Sequence, residues 1–269
     1  VIYLQKNDNI IISHSIIASS MITSKRYEYL HKLGEGHSAK VYKYRDLKSQ
    51  QIVTYREYKN DVNYLNDEVA ILCRLEHPSI PSFVDSWTTS TENGLSGVIV
   101  LSFARGEILH DIIRSTRNVT INQERMFEQL FSAIAHIHAL NIMHRDIKPE
   151  NIIYDSFTEK LTLIDWTYAQ EVKDCSKSRG SMNYAAPEIL FGYKYYGLEN
   201  DIWSLGVVIY LFYTRIFPYK LDSEPDYDND LLPAEIKSLL MRIFVYYEKR
   251  ATIGEIQQVT MPKAYVSTK

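Results

Sequence analysis

The order of its strand-like and helical segments places this chain in the α+β class: a small antiparallel sheet carrying one helix, then a larger, mainly helical part. Strand-like runs over 27–33, 40–45, 52–58, 82–88 and 97–101 fill the first part of the chain, interrupted by one helical stretch at 63–75. Within that stretch Leu65, Val69, Leu72 and Leu75 share a face. From 108 onward the spacing turns helical, over 108–114 and 123–140, where Phe127, Leu130, Phe131, Ile134, Ile137 and His138 form an apolar face. Short strands at 152–154 and 161–164 follow. A chain of 269 residues with 45% hydrophobic content can bury a large core, and its length suits one two-lobed domain or two small ones.

A formal net charge of −3 supplies no sequence-wide positive field, so no nucleic-acid partner is expected. Two cysteines, Cys73 and Cys175, argue against a disulfide scaffold or a cysteine metal site and suit a reducing compartment. An intracellular location, cytoplasmic or nuclear, is therefore expected. The apolar runs at 10–12 and 16–18 fall far short of the roughly 18 residues of a membrane span, so neither an anchor nor a leader is indicated. Residues 1–26 read as an extension packing on the first part, and 259–269 as a tail. The 21 tyrosines stand against only 10 glycines and 8 prolines, with no functional consequence attached. Nothing in the sequence fixes an oligomeric state.

Between the 123–140 helix and the 152–154 strand lies His144-Arg145-Asp146-Ile147-Lys148-Pro149-Glu150-Asn151, where two cations, two carboxylates and an amide share one short loop. The carboxylate of Asp146 can accept a proton from a hydroxyl, Lys148 can neutralise the phosphoryl group which that hydroxyl attacks, and Asn151 would hold a metal. The ordinary reading of such a cluster is solvated charge. Against it, further stations of the same chemistry follow in order. The loop resembles the catalytic loop of eukaryotic protein kinases, with Lys148 in the position typical of the serine/threonine branch. The resemblance implies a two-lobed kinase fold over 27–258, with the small lobe at 27–101, a hinge at 102–104 and the large lobe at 105–258. It also implies ATP and Mg2+ as cofactors, bound between lobes, and a protein substrate bearing Ser or Thr.

Upstream, Gly34 and Gly36 between two strands let backbone amides approach phosphate oxygens, although a glycine pair there is more often a plain turn. Leu33-Gly34-Glu35-Gly36-His37-Ser38-Ala39-Lys40-Val41 resembles the kinase glycine-rich loop, with Ala39 for the third glycine and Val41 over the adenine. The family's V-A-I-K reads Val53-Thr54-Tyr55-Arg56. Arg56 keeps the charge of the expected lysine with a wider, planar head, and Thr54 replaces a small alanine. Glu68 would pair with Arg56. Lys43, of the same strand parity as Val41, offers an alternative ammonium, as in with-no-lysine kinases. Leu101 would be the gatekeeper, Ser102 and Ala104 the adenine-binding hinge, and Ile153 with Ile164 the adenine floor.

Downstream, Asp165-Trp166-Thr167 stands where kinases carry D-F-G: the metal-binding aspartate is kept and the glycine is replaced by a hydroxyl residue, as in haspin. Trp166 would act as an apolar plug in a stack with Leu72, Phe83 and His144; ordinary core packing explains the same residues. Gly180-Ser181-Met182-Asn183-Tyr184-Ala185-Ala186-Pro187-Glu188 resembles the end of an activation segment, most like the calcium/calmodulin-dependent and AMP-activated branch. Arg250 stands where the family places the partner of Glu188. Asp201, Trp203, Ser204 and Gly206 match the buried helix that anchors the catalytic loop. Arg145 would receive an activation-loop phosphate, with Ser176 and Ser178 as its candidate carriers or, equally, as ordinary loop serines. The function expected is transfer of the ATP γ-phosphate to protein hydroxyls. A pseudokinase acting as a binding or allosteric module, with weak or no nucleotide binding, is the alternative raised by Thr54, Arg56 and Thr167, and the peptide-docking segment at 181–188 disfavours a small-molecule phosphotransferase.

Overall fold

The computed structural model describes residues 5–6, 9–10, 26–36, 39–58, 63–91, 94–115, 119–172, 180–191, 197–219, 225–227 and 229–262. The chain divides into two compact units, Val1–Glu76 with Pro81–Ala104, and His77–Ile80 with Arg105–Lys269. Among the described residues no helix is long and apolar enough to cross a membrane. Of the expected N-terminal extension, Gln5–Lys6 pairs antiparallel with Asn9–Ile10, and residues 11–25 lie outside the described residues.

The first unit is a five-stranded antiparallel sheet: β1 (Tyr27–Glu35), β2 (Ala39–Asp46), β3 (Ile52–Tyr58), then β5 (Gly94–Ser102) beside β4 (Phe83–Thr91) at the far edge. Period-two alternation on β3 sorts its two faces. Val53 packs with Tyr27, Val98 and Val100, and Tyr44, Tyr55 and Trp87 close over them. Much of the tyrosine excess is spent on this face: Tyr44 stacks on Tyr55 at 4.5 Å, Tyr27 stacks on Trp87 at 5.8 Å, and Tyr29 and Tyr42 meet Tyr44 edge-on. The opposite parity of β3, Arg56 and Tyr58, meets Glu68 of α1 (Asn63–Leu72). Helix α1 stops three residues before its expected end at 75, because Arg74 and Leu75 close tight bonds to Ile71 and Leu72 ahead of Pro78.

Arg26, counted with the extension, is tied to the sheet by its side chain. Its guanidinium grips Asp46 with Nε at 3.0 Å and Nη2 at 2.9 Å and reaches Asp85 with Nη1 at 2.9 Å. Asp46 also accepts the Lys48 N–H and the Ser49 hydroxyl, so it closes the β2–β3 turn.

The second unit is mainly helical. Ile108, expected to open a helix, instead pairs with Ile153: β6 (Glu107–Ile108) joins β8 (Ile152–Asp155) and β9 (Lys160–Leu163), and α2 (Leu109–Arg114) starts one residue later. Helix α3 (Gln123–Ala139) is capped by Asn122, whose side chain accepts the Arg125 N–H, and buries Phe127, Leu130, Phe131, Ile134 and Ile137. Next, β7 (Ile142–Met143) pairs with β10 (Gln170–Glu171). Beyond α4 (Pro187–Leu190), helix α5 (Glu199–Thr214) is buried nearly all round, as expected of a core helix, and ends on Arg215 in the left-handed region at φ 61°. Helices α6 (Ala234–Ile243) and α7 (Ile253–Ile256) complete the unit. Met261, past the expected boundary at 258, is buried.

Two tests follow from this packing. A Cβ at Gly206 would stand 2.5 Å from Ile243 Cγ2 and 2.8 Å from Phe244 Cε1. Gly206→Ala is therefore expected to cost about 1–3 kcal/mol, read as a lower urea midpoint at unchanged slope. The Arg26 hydrogen bond holds the Asp46 carboxyl at about 2, below its ordinary 3.8. A depressed folded value means that this stabilisation is complete above the unfolded pKa and is lost as pH falls through the folded one. Acid unfolding followed by circular dichroism should accordingly be shallower for Asp46→Asn than for the parent chain over that interval.

Candidate active site

A buried carboxylate builds the loop at 144–151. Asp201, in the first turn of α5 and 0% exposed, accepts the backbone N–H groups of His144 and Arg145, each at 2.8 Å, and the Nε2 proton of His138 at 3.1 Å. Burial alone would push its carboxyl up; the His138 hydrogen bond, the electrostatic pull of His138 and His144 and the His144 N–H outweigh it and hold the carboxyl below the usual range. The two captured amides fix Arg145 in the left-handed region at φ 68°. Its carbonyl then faces Gly180, where a Cβ would stand 2.2 Å from the Arg145 oxygen and φ is +112°, so only glycine fits.

Turned this way, the loop presents Asp146 to a ring of donors. Oδ1 accepts the Ser181 N–H at 3.0 Å, and Oδ2 accepts Asn151 Nδ2 at 2.9 Å and lies 2.7 Å from Lys148 Nζ. Lys148 Nζ also donates to the Ser181 hydroxyl at 2.8 Å. Asn151 sits at the end of a single 3₁₀ turn, Pro149–Asn151, and its Nδ2 bonds the Asp146 carbonyl as well, at 2.8 Å. The sequence named Ser181 only as a member of its segment. A hydroxyl residue directly after Gly180 was the available signal. Lys148, Glu150, Asn151, Ser181, Met182 and Tyr184 surround an open groove of about 460 Å³, and the Tyr184 hydroxyl donates to Glu150 at 3.3 Å.

Asp165 follows β9 at φ 63°, tethered to the same loop because Ile164 N–H bonds the Asn151 carbonyl at 2.9 Å and His144 Nε2 donates to the Ile164 carbonyl at 3.1 Å. Trp166, fully buried, meets the His144 ring edge-on at 4.7 Å. The Thr167 hydroxyl donates to Asp165 Oδ1 at 2.7 Å. Asn151 spends its amide protons on Asp146, which leaves Oδ1 for a cation. With the Asp165 carboxylate it makes a sparse set of hard oxygen donors. Among the described residues no three His, Cys, Asp or Glu side chains surround a common point. Hard oxygen donors of this kind fit Mg2+, which keeps waters and takes phosphate oxygens as ligands. Arg145 is buried and its guanidinium donates to Gln170 Oε1. Ser176 and Ser178 lie outside the described residues.

In the first unit Arg56 Nη1 lies 2.6 Å from Glu68 Oε1, with the residues 7% and 1% exposed, and the Tyr58 hydroxyl donates to the other Glu68 oxygen. The pair that the family resemblance implies is formed. Lys43 stands opposite Thr54, and its ammonium lies 4.5 Å over the Phe103 ring. Thr54 pairs with Leu101 on its other side, and Val41 lies across from Arg56. Gly34 pairs with Val41 and Glu35 with Lys40 after a register shift. Gly36 donates its N–H to the Ala39 carbonyl at 2.9 Å, and His37 and Ser38 lie outside the described residues. Leu33 is exposed, Ser102 is tied to Ser82, and Ala104 is half-buried. Ile153, in the second unit, is half-buried on β8.

A loop hung on a buried aspartate, with a carboxylate, lysine and asparagine converging beside a second carboxylate, defines a phosphoryl-transfer class of site. The chain belongs to the protein kinase domain family, which residues 27–259 match. It is similar to the SNF1-like protein kinase ssp2 of Schizosaccharomyces pombe, 31% identical over 84% of this chain and 42% of that protein. It is similar also to the probable serine/threonine-protein kinase MARK-C of Dictyostelium discoideum, 34% identical over 71% of this chain and 26% of that protein. A third relative is the serine/threonine-protein kinase SAPK3 of Oryza sativa subsp. indica, 30% identical over 88% of this chain and 77% of that protein. An SNF1-like relative accords with the branch likeness carried by 180–188. The chain spans less than half the length of the first two relatives.

The Arg56 pair makes a sharp test. Arg56→Met removes the cation bonded to buried Glu68 Oε1 and is expected to cost about 3–5 kcal/mol. Arg56→Lys, which keeps the charge, should recover more than half of that loss. Thermal unfolding of the three proteins checks the order.

Proposed function

We propose that the chain is a serine/threonine protein kinase that transfers the γ-phosphate of Mg-ATP to a Ser or Thr hydroxyl of a protein substrate, inside the cell. The observation that carries the reading is the set of contacts on Asp146. A carboxylate has about four lone-pair sites. Here the Ser181 N–H, Asn151 Nδ2 and Lys148 Nζ take three, and a position on Oδ1 is left for an incoming hydroxyl. Asp146 is thereby aimed and held, as a general base must be before pKa matters.

The chain's own residues divide the work. Asp146 orients the substrate hydroxyl and accepts its proton. Lys148, bridging Asp146 and Ser181, supplies positive charge where the phosphoryl group passes. The groove bounded by Glu150 and 181–184 holds the peptide that presents the hydroxyl, and Met182, 73% exposed, offers it an apolar contact. Asn151 and Asp165 would hold Mg2+, which when bound neutralises phosphate charge. Arg56, tethered by Glu68, would hold ATP phosphates, where the family has lysine. A paired Arg56 and a complete Asp146 setting support the enzyme over the binding module. Regulation by phosphate on Ser176 or Ser178, received by Arg145, belongs to the same proposal.

Asp146→Asn conserves volume and removes the base. With a generic Ser/Thr peptide and radiolabelled Mg-ATP it should lose at least about 10²-fold in transfer rate while its melting temperature stays within a degree or two, roughly, of the parent's. Equal phosphate incorporation by the two proteins would end the kinase reading.

A further inference from the structure

Residues 77–80 lie in the sequence between two stretches of the first unit and yet belong to the second. A compact turn holds them there. His77 Nδ1 accepts the Ser79 N–H at 3.1 Å, the Ile80 N–H closes onto the His77 carbonyl at 3.0 Å, and the Ser79 carbonyl accepts the Leu163 N–H of β9 at 2.8 Å. Because Nδ1 is an acceptor, the one proton of the neutral ring lies on Nε2, which donates to the Ser132 hydroxyl of α3 at 3.0 Å. One imidazole thus closes the turn with one nitrogen and docks it on α3 with the other. The titratable group that faces it from α3 is a second imidazole, His136, with ring centroids 5.4 Å apart, and His136 Nε2 is shielded from water without a partner among the described residues. Pro78, Ser79 and Ile80 carry no charge, and β9 meets the turn through a backbone N–H. Among the described residues the imidazoles that lie beside a carboxylate are those of His110 and His138, not these two.

We propose that His77 is a positioning residue for phosphoryl transfer: as the neutral imidazole it folds the 77–80 turn so that the Ser79 carbonyl seats β9 just before Asp165, and a proton on Nδ1 undoes that seat and slows the reaction in acid. The added proton has to go onto Nδ1, the atom that holds the Ser79 N–H. An imidazolium has two donors and no acceptor, so the Ser79 N–H, in a residue 1% exposed, loses its partner and faces another donor. That bond is what turns the Ser79 carbonyl toward Leu163. With the turn open, β9 loses the acceptor for its last N–H, and Ile164 and Asp165 follow directly in the chain. Burial and the neighbouring His136 hold the His77 imidazolium below its ordinary pKa of 6.5. A base whose folded value is depressed is kept neutral by the fold, so the turn's contribution is complete above 6.5 and is lost as pH falls through the folded value. His77 acts through Ser79 and Leu163. The inference rests on the kinase reading and names a group that makes its rate sensitive to pH.

The test turns on His77→Asn, whose side-chain oxygen can accept the N–H two residues on, as asparagine does in turns, but which takes up no proton. Transfer of radiolabelled phosphate to a generic Ser/Thr peptide is measured from about pH 8 to about pH 5 for the parent, His77→Asn and His77→Leu, with circular dichroism at each pH. At the alkaline end His77→Asn should match the parent within about threefold, and His77→Leu, with no acceptor at any pH, should be slower than the parent by at least about fivefold. As pH falls, the parent's rate should drop relative to that of His77→Asn, approaching about tenfold per pH unit, the slope of one proton. The midpoint of that drop should coincide with the titration of the His77 ring followed by NMR. The same acid limb in the parent and in His77→Asn overturns the proposal. So does a His77→Leu protein as active as the parent at the alkaline end, and so does a His77→Asn protein slowed by one factor at every pH, which marks a structural role alone. If His77→Asn does not fold, the parent decides: a kinetic midpoint that coincides with the His77 titration supports the proposal, and one that lies apart from it overturns it. These outcomes leave the kinase reading standing, whereas a parent chain that transfers no phosphate at any pH overturns that reading and this inference together.

Discussion

One fully buried carboxylate underlies the second unit. Removing an ion from water costs several kcal/mol, and Asp201 offsets that cost with two backbone N–H groups and the His138 ring. Those amides are the link between α5 and the loop: they hold Arg145 in a conformation that a free chain would seldom adopt. From that peptide the rest descends. The Arg145 carbonyl sets how near Gly180 comes, Gly180 sets where Ser181 lies, and Ser181 completes the ring around Asp146. A change at Asp201 would reach Asp146 without touching it.

The other buried charges obey the same rule of several partners each. All five guanidinium N–H groups of Arg250 are engaged: two with Glu188 at 2.6 and 3.1 Å, the others with the carbonyls of Ile243, Val245 and Glu199. Glu68 has Arg56 on one oxygen and the Tyr58 hydroxyl on the other. These ions are satisfied locally, by groups from two or three elements, so each fixes the relative placement of those elements. In the first unit this joins α1 to β3. In the second it joins the end of the 180–188 segment to α5 and to the turn at 247–250.

What could be read in advance was whatever depends on residue type at fixed spacing. Asp146, Lys148 and Asn151 lie in one loop, and Glu188 and Arg250, 62 positions apart, were matched through the family pattern and do meet. Arg56 with Glu68 was read the same way. The rest depends on directions that spacing does not encode. The Thr167 hydroxyl turns back toward Asp165 only because Trp166 is buried between them, and the Ser181 hydroxyl finds Lys148 only because Gly180 folds against Arg145. Helix α1 ended early because its last turn tightened, a choice between bonding patterns of similar energy. Ile108 passed from helix to strand because Ile153 was beside it, a tertiary effect. The tyrosine count was visible at once, but that five of them share one sheet face required the register of β1, β2 and β3.

That aromatic face also decides what light reports about this molecule. The three tryptophans are split between the units: Trp87 in the first, Trp166 and Trp203 in the second. Trp87 lies within 5.8 Å of Tyr27 and 5.6 Å of Tyr55, with Tyr44 stacked on Tyr55 behind them. Excitation absorbed by those phenols passes to the single indole beside them, while in the second unit Trp203 has Tyr219 at 6.0 Å. Trp166 lies against the His144 imidazole, edge-on at 4.7 Å. Replacing Trp203 with phenylalanine would leave one indole per unit, Trp87 among phenols and Trp166 against an imidazole, so that the sheet and the loop at 144–151 can be watched separately in one sample.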